Sequence, residues 1–237
     1  RPGAICELLD RLQEIDGIRW IRILYAYPER ISDEFIAAMV RNTKVVPYLD
    51  LPIQHCDDAV LKAMNRRGGR KEIEDAIARL RAAIPGITLR TTLIAGFPGE
   101  TEEQYAELCD FVKTVRFDRL GCFAYSAEEN TVAAKMPNQI DEETKQRRAD
   151  HIMELQAEVS AEREGEKVGH TYECICDGVD DETGMYLLRT KADCPEIDGN
   201  VLTPADTPLE TGAFYKVTIT DSDTYDLYGY VEEKLED

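Results

Sequence analysis

The chain has 237 residues, enough for one large domain or for a domain of about 150 residues followed by a small one. Its 47 acidic residues outnumber 28 basic ones, and the net charge of −19 argues against a general nucleic-acid-binding surface and favours a basic protein partner. No stretch approaches the roughly 18 apolar residues of a membrane span, and the opening residues do not form a signal peptide. The seven scattered cysteines lack disulfide-framework or zinc spacing, so we expect reduced thiols in a cytoplasmic protein.

Four β-strands are predicted in the first part of the chain, and a helical pattern follows each of them. The strands are IRWIRILYAY from residue 18, VVPYLDLPI from 45, ITLRTTLIA from 87 and FDRLGCFAYS from 117. Strands that alternate with helices are typical of βαβ units and a parallel sheet. Four such units are half of an eight-stranded β/α barrel, so we predict an α/β fold with a partial parallel barrel of the TIM type over residues 1–166.

Two of the predicted helices have clear starts. Ser32 is placed to cap the helix that begins SDEFIAAMVRN, and Thr101 with Gln104 forms a capping-box pattern ahead of TEEQYAELCDFVKTV. In the latter helix, apolar residues recur at helical spacing and predict one buried face. The last helix of this part is the long stretch DEETKQRRADHIMELQAEVSAEREGEK.

Near residue 167 the pattern changes to short alternating strands separated by Gly, Asp and Pro. These strands are HTYECICDGVD, GMYLLRTKAD, GNVLTPA, AFYKVTITDSD and YDLYGYVEE. The pattern predicts a small antiparallel β-barrel over residues 167–237. Residues 168–237 contain 17 acidic and 4 basic residues, a net charge of −13, whereas residues 1–167 carry only −6.

In a β/α barrel, functional groups lie at the carboxyl ends of the strands, and the turn Gly96-Phe97-Pro98-Gly99 occupies one such end. Its glycines allow a backbone to approach a ligand closely. A phosphate is disfavoured, because there is no Gly-Lys-Ser/Thr and three glutamates crowd the start of the following helix. The alternative is a tight turn without any ligand.

Three long, collinear stretches resemble the radical S-adenosylmethionine (SAM) methylthiotransferase family, which includes the MiaB and RimO types. The stretches are YLDLPIQHCDDAVLKAMNRRGGR, LRTTLIAGFPGETEEQ and RFDRLGCFAYSAEENTVAAKM. The resemblance implies a radical SAM barrel followed by a small OB-like β-barrel, the TRAM domain. It also implies SAM and two [4Fe-4S] clusters as cofactors of the full-length enzyme.

The resemblance also suggests which residues bind SAM. Members carry a loose G-x-I-x-G-x-x-E motif whose backbone lies against the adenine. Here Thr92 stands at the first glycine, Ile94 and Gly96 match, and Gly99 occupies the acidic position with Glu100 one place later. The predicted cofactor-binding residues are Gln54, His55, Arg90, Thr92, Ile94, Gly96, Phe97 and Tyr125.

Several of these residues have a structural alternative. Gln54 and His55 are placed to bond the ribose or methionine part of SAM, but His55 could equally be a satisfied loop histidine. Arg90 is placed to pair a carboxylate of SAM or to form a structural ion pair. Tyr125 is expected in the pocket wall. The basic cluster Arg66, Arg67, Arg70 and Lys71 is either a solvated face or a substrate contact.

The cysteine motifs that hold the clusters are missing from this chain. No Cys-x-x-x-Cys-x-x-Cys occurs, and the cysteines present are wrongly spaced to ligate iron. We therefore expect no metal site here, and a chain that is the carboxyl-terminal portion of an enzyme and inactive alone. Individual catalytic residues are not assigned.

The stretches LDLPIQH, ADCPEIDGNV and GIRWIRILYAYP favour the RimO type. That likeness implies methylthiolation of the β-carbon of an aspartate on protein twelve of the small ribosomal subunit, by way of a 5'-deoxyadenosyl radical. The barrel's charge of −13 favours this basic partner over RNA. The alternatives are a MiaB-type enzyme acting on a transfer RNA adenosine, and a non-catalytic acidic module that binds a basic ribosomal protein.

Overall fold

A computed structural model describes residues 3–204 and 208–236 of the chain. The chain divides into two units between Gln156 and Ala157. The predicted domain boundary at residue 166 stays a prediction. Residues 1, 2, 205–207 and 237 include the outer ends of both predicted domains and the last residue of the predicted strand GNVLTPA, and they lie outside the described residues.

The sheet of the first unit consists of four parallel strands in the order β1-β2-β3-β4. These are β1 (Ile21–Ile23), β2 (Val45–Asp50), β3 (Thr88–Ala95) and β4 (Arg119–Ala124). The predicted partial parallel barrel is thereby confirmed. However, β1 is much shorter than its apolar stretch, because its register with β2 is irregular and the backbone turns at Tyr25 with a φ of 60°.

Helices connect these strands, and the two predicted caps are confirmed. The helices are α1 (Ala4–Gln13), α2 (Asp33–Arg41), α3 (Asp58–Ala63), α4 (Arg70–Ala83), α5 (Glu102–Val115) and α6 (Glu142–Gly165). The Ser32 hydroxyl accepts a hydrogen bond from the Phe35 N–H at 3.1 Å. Thr101 and Gln104 form the reciprocal capping box that starts α5.

Strand β3 separates a helix-covered face from an open face of the sheet. Leu89, Leu93 and Ala95 are fully buried in the core that also contains Phe111 and Val112 of α5. The alternate residues Arg90, Thr92 and Ile94 are only partly buried. Because successive side chains of a strand point to opposite faces, these three residues share the face that bears the candidate site.

The second unit contains a closed five-stranded barrel in the order β5-β6-β7-β9-β8. Its strands are β5 (Thr171–Val179), β6 (Tyr186–Thr190), β7 (Val201–Thr203), β8 (Phe214–Ser222) and β9 (Leu227–Lys234). The predicted small barrel is confirmed, with one correction: β7 and β9 pair in parallel, whereas the other pairs are antiparallel. An odd number of strands cannot alternate direction all the way around a closed ring.

Two cysteines of the barrel are part of its buried apolar interior. Cys174, Cys176, Leu188, Val201 and Val217 are fully buried in one cluster. All seven cysteines of the chain are free thiols.

Among the described residues, no helix combines the length and the apolar character that crossing a membrane requires.

Replacement of Leu49 by alanine tests the importance of the sheet core. Leu49 is fully buried, so Leu49→Ala should lower the free energy of unfolding by about 2–5 kcal/mol, the usual cost of a core cavity. Val40 on α2 is 56% exposed, and Val40→Ala should change stability by no more than about 0.5 kcal/mol. Urea denaturation of both variants measures the difference, and equal losses would contradict this description of the core.

Candidate functional site

Three neighbouring strands are followed by residues with a left-handed backbone. These residues are Tyr25 after β1, Gln54 after β2 and Gly96 after β3, with φ angles of 60°, 72° and 76°. Glycine adopts this conformation freely, but for tyrosine and glutamine it costs free energy. Such strained residues cluster at ligand sites, so the carboxyl ends of the strands are the first place to look for one.

Gln54 is fixed in this conformation by β3. Its N–H donates to the Thr92 carbonyl at 2.9 Å, and its carbonyl accepts from the Ile94 N–H at 2.8 Å. The side-chain oxygen Oε1 is buried and has no hydrogen-bond partner among the described residues. A buried acceptor without a partner at a strand end is suited to a ligand that brings a donor.

An apolar wall lies beside Gln54. Phe97 and Tyr125 are buried, and their rings meet edge to face with centroids 5.2 Å apart. Ile94 packs against this pair together with Val60 at the start of α3. The Tyr125 hydroxyl is a second buried polar atom without a partner in the described residues. The wall therefore combines flat apolar surface with two unsatisfied polar atoms, as in many small-molecule sites.

The Gly96 turn is held by a residue to which the sequence motif gave no role. The Gly96 N–H donates to both carboxylate oxygens of Glu100, at 3.0 and 3.1 Å. Glu100 is 5% exposed, and its Oε1 also accepts from Arg148 Nη1 of α6 at 2.7 Å. The glycine itself is required by α6, because a Cβ at residue 96 would lie 2.4 Å from Lys145 Cγ.

His55 belongs to the same buried group. Its Nδ1 accepts a hydrogen bond from the Asp57 N–H at 3.0 Å, which places the proton of the neutral ring on Nε2. Nε2 lies 3.3 Å from Glu100 Oε2, and the side chain is completely buried. Nε2 nevertheless forms no hydrogen bond among the described residues, so the ring is satisfied at Nδ1 only. A direct cofactor contact by His55 stays a prediction.

Arg90 and Asp50 form an ion pair on the open face of the sheet. Arg90 Nη1 lies 3.1 Å from Asp50 Oδ1, and the Asp50 side chain is almost completely buried. Asp50 Oδ2 accepts from the Tyr25 N–H at 3.3 Å. The pair therefore fixes the end of β1, and it corresponds to the structural alternative for Arg90. Thr92, partly buried, lies two residues further along the same face.

Three of the four residues in the predicted basic cluster are engaged within the chain. Arg66 donates to the Pro52 carbonyl and lies 4.9 Å from the centroid of the Tyr27 ring. Arg70 pairs with Glu74 and Glu107, and Lys71 pairs with Asp75. The contacts of Arg66 with Pro52 and Tyr27 bring it to the strand ends. Substrate contact by this cluster stays a prediction.

The described residues fit SAM but not an iron–sulfur cluster. The apolar wall suits an adenine, and Gln54 Oε1 and the Tyr125 hydroxyl are polar atoms that a ribose or amino-acid group would satisfy. No group of three or more His, Cys, Asp or Glu side chains in residues 3–204 and 208–236 is arranged to hold a metal ion. Burial raises the pKa of the Cys56 and Cys122 thiols to about 12, so neither is a ready thiolate ligand.

Comparisons with known proteins agree with both units. Residues 4–112 match the radical SAM superfamily, and residues 168–231 match the TRAM domain. Coproporphyrinogen III oxidase (HemN) from Escherichia coli, a radical SAM enzyme, shares the fold with a TM-score of 0.56 at 19% identity over 68% of this chain and 38% of its own.

Closer relatives define the family more narrowly. The chain is 46% identical over 232 residues to the ribosomal protein uS12 methylthiotransferase RimO of Bdellovibrio bacteriovorus, covering 98% of this chain and 50% of the relative. It is 47% identical over 228 residues to the protein of the same name from Pelobacter propionicus, covering 96% and 50%. The chain thus spans about half the length of the curated relatives it matches. It belongs to the radical SAM methylthiotransferase family, as a member of the RimO type.

Alanine at residue 96 tests the packing of the turn. Gly96→Ala should lower stability through the left-handed backbone, about 1–2 kcal/mol, and through the clash with Lys145, about 1–3 kcal/mol. Gly99 has a φ of 86° but open space around it, so Gly99→Ala should show the backbone cost alone. Chemical denaturation of both variants gives the comparison. A smaller loss in Gly96→Ala than in Gly99→Ala would mean that α6 does not pack here as described.

Proposed function

We propose that the protein containing this chain is a radical SAM methylthiotransferase that modifies an aspartate β-carbon of ribosomal protein uS12. The support is identity of 46–47% to relatives that bear this name, over nearly the whole chain. The orphaned, strained Gln54 beside an apolar wall is the structural observation that carries the cofactor part of the proposal.

The chain contributes one side of the SAM site. Ile94 and Phe97 face the adenine and exclude water from it, and Gln54 Oε1 accepts from a ribose hydroxyl or the ammonium of the methionine part. Tyr125 closes the wall, and its hydroxyl takes a further polar contact. When bound, SAM supplies the radical chemistry of this enzyme class. No step is assigned through an iron–sulfur cluster, since the described residues offer no ligand set for one.

We also propose that the acidic barrel recognises the basic substrate protein. Residues 168–237 contain only four basic residues, and each forms an ion pair with an acidic residue of the barrel: Arg189 with Asp177, Lys191 with Glu173, Lys216 with Glu233 and Lys234 with Glu210. No cation of the barrel is thus left to neutralise phosphates without breaking a pair. A field of this sign attracts a lysine-rich protein and disfavours RNA.

Local structure accounts for part of the acidic excess. Hydrogen bonds from Thr183 and Glu182 hold the pKa of Asp180 below its usual range. Asp223 accepts from the N–H groups of Tyr225 and Asp226 in a turn of the same kind. These aspartates stabilise turns through local hydrogen bonds. Because they remain ionised, they also contribute to the negative electrostatic potential of the barrel.

Two alternatives remain distinguishable by experiment. A MiaB-type enzyme would modify transfer RNA and not uS12, and assay of the full-length protein against both substrates separates the two. A non-catalytic module would dock a ribosomal protein without chemistry. A Cys-x-x-x-Cys-x-x-Cys motif upstream of Arg1 would decide for the enzyme.

Removal of the Gln54 side chain tests the SAM site. In the full-length protein, Gln54→Ala should weaken SAM binding about tenfold, because a ligand hydrogen bond in a buried site contributes roughly 1–1.5 kcal/mol. Gln146 on α6 is exposed, so Gln146→Ala is the matched control and should bind normally. Equilibrium dialysis with labelled SAM measures both. Equal affinity in the two variants would remove Gln54 from the site.

Titration of this chain with uS12 and with transfer RNA tests the barrel. Binding to uS12 should weaken as salt rises from low to physiological concentration, because the attraction is electrostatic, while transfer RNA should bind far more weakly at both. A matched variant is Asp181→Asn with Glu182→Gln, which removes two exposed charges and should weaken uS12 binding. Tighter binding to transfer RNA than to uS12, or no binding to either ligand, would contradict the proposal and would mean that the acidic charge serves only solubility.

A further inference from the structure

The Gly96 turn depends on a charge that comes from outside the strand-turn-helix segment. Glu100 binds the Gly96 N–H with both carboxylate oxygens and has a side chain that is 0% exposed. A buried carboxylate is costly unless a cation and hydrogen bonds compensate it. Arg148 of α6 supplies that compensation, at 2.7 Å and with only 4% of its side chain exposed.

Arg148 also fixes the backbone around Glu100. Its Nη1 donates to the Glu100 carbonyl at 3.3 Å, and its Nη2 donates to Glu102 Oε1 at 2.6 Å. One guanidinium thus bonds the main chain and side chain of Glu100 and the first turn of α5. The planar, rigid fork of arginine suits this arrangement, whereas the single ammonium of lysine cannot make all these bonds at once.

A second residue of α6 touches the same wall. Lys145 packs its stem where a Cβ of residue 96 would lie, and its Nζ is 5.4 Å from the centroid of the Tyr125 ring. Lys145 is 2% exposed. Residues three positions apart lie on the same side of a helix, so one face of α6 bears on both Gly96 and Tyr125.

We infer that Arg148 is a positioning residue for SAM, acting through Glu100 on the Gly96 turn. Without it, Glu100 keeps a buried charge that lacks its cation, and the carboxylate is drawn away from the Gly96 N–H toward water. The turn from Ile94 to Phe97 then loses the conformation that faces the adenine. This inference rests on the proposed function, and it assigns to α6 a role in cofactor affinity.

The test uses the full-length protein with its clusters reconstituted. Arg148→Met should raise the Kd and KM for SAM by about tenfold or more, as expected for loss of one partner of a buried charge pair, and leave the KM for uS12 unchanged. Arg148→Lys should restore part of the SAM affinity. Arg147 is adjacent but exposed, so Arg147→Met should behave as the unmodified protein. Urea unfolding identifies variants that are folded.

The outcomes separate this inference from the proposed function. If the unmodified protein does not bind SAM, the proposed function fails. If it binds SAM and folded Arg148→Met binds equally well, the inference alone is overturned. The inference is also overturned if the KM values for SAM and for uS12 rise together, or if neither Arg148 variant folds. Either result would mean that Arg148 has a purely structural role. If only the Arg148→Lys variant folds, its SAM affinity is compared with that of Arg147→Met. Weaker binding by Arg148→Lys supports the inference, and equal binding overturns it.

Discussion

The contact between the Gly96 N–H and the buried carboxylate of Glu100 is the interaction on which the candidate site depends. It holds the backbone after β3 in a left-handed turn, directs Phe97 into the wall beside Tyr125, and keeps the start of α5 against α6 through Arg148. The Gly96 amide is satisfied by the protein, so it is not available to a ligand as a free N–H donor. An acidic helix start is compatible with the adenine site that we propose here, because an adenine, unlike a phosphate, carries no negative charge.

The open face of the sheet carries the polar groups, and neighbouring elements hold them in place. Asp50 joins Arg90 to the end of β1, and Gln54 is fixed by two backbone bonds to β3. The strain at Tyr25 and Gln54 is therefore supported by interactions on the next strand. The barrel contributes a different property, an acidic surface whose few cations are already paired, and we propose that this surface recognises a basic partner. We therefore propose that affinity for the cofactor and affinity for the substrate protein come from different units.

The sequence was sufficient for most of the fold because its signals are local. Ser32 and Thr101 cap helices through bonds to residues three positions away, and the alternation of β3 separates its two faces within eight residues. The predicted length of β1 was wrong, and the parallel pairing of β7 with β9 was not predicted. Both depend on strand partners far along the chain, which set the register and close the ring. The same limit applies to the site. The motif drew attention to Ile94 and Gly96, but the contact of Glu100 with Arg148 of α6 joins residues that are 48 positions apart in the sequence. A buried Arg148 beside an exposed Arg147 has no signature in the residue types alone.

A crystal structure of the full-length protein with SAM bound would show most directly whether these strand ends form the cofactor wall. We expect the adenine within about 4 Å of Ile94 and Phe97, the distance of apolar contact, with Gln54 Oε1 hydrogen-bonded to the ribose or methionine part. The Gly96 amide should still be bound by Glu100. Cofactor density elsewhere, with no ligand atom bonded to Gln54 Oε1 and the Ile94 to Phe97 turn in contact with protein only, would show that these strand ends do not bind SAM.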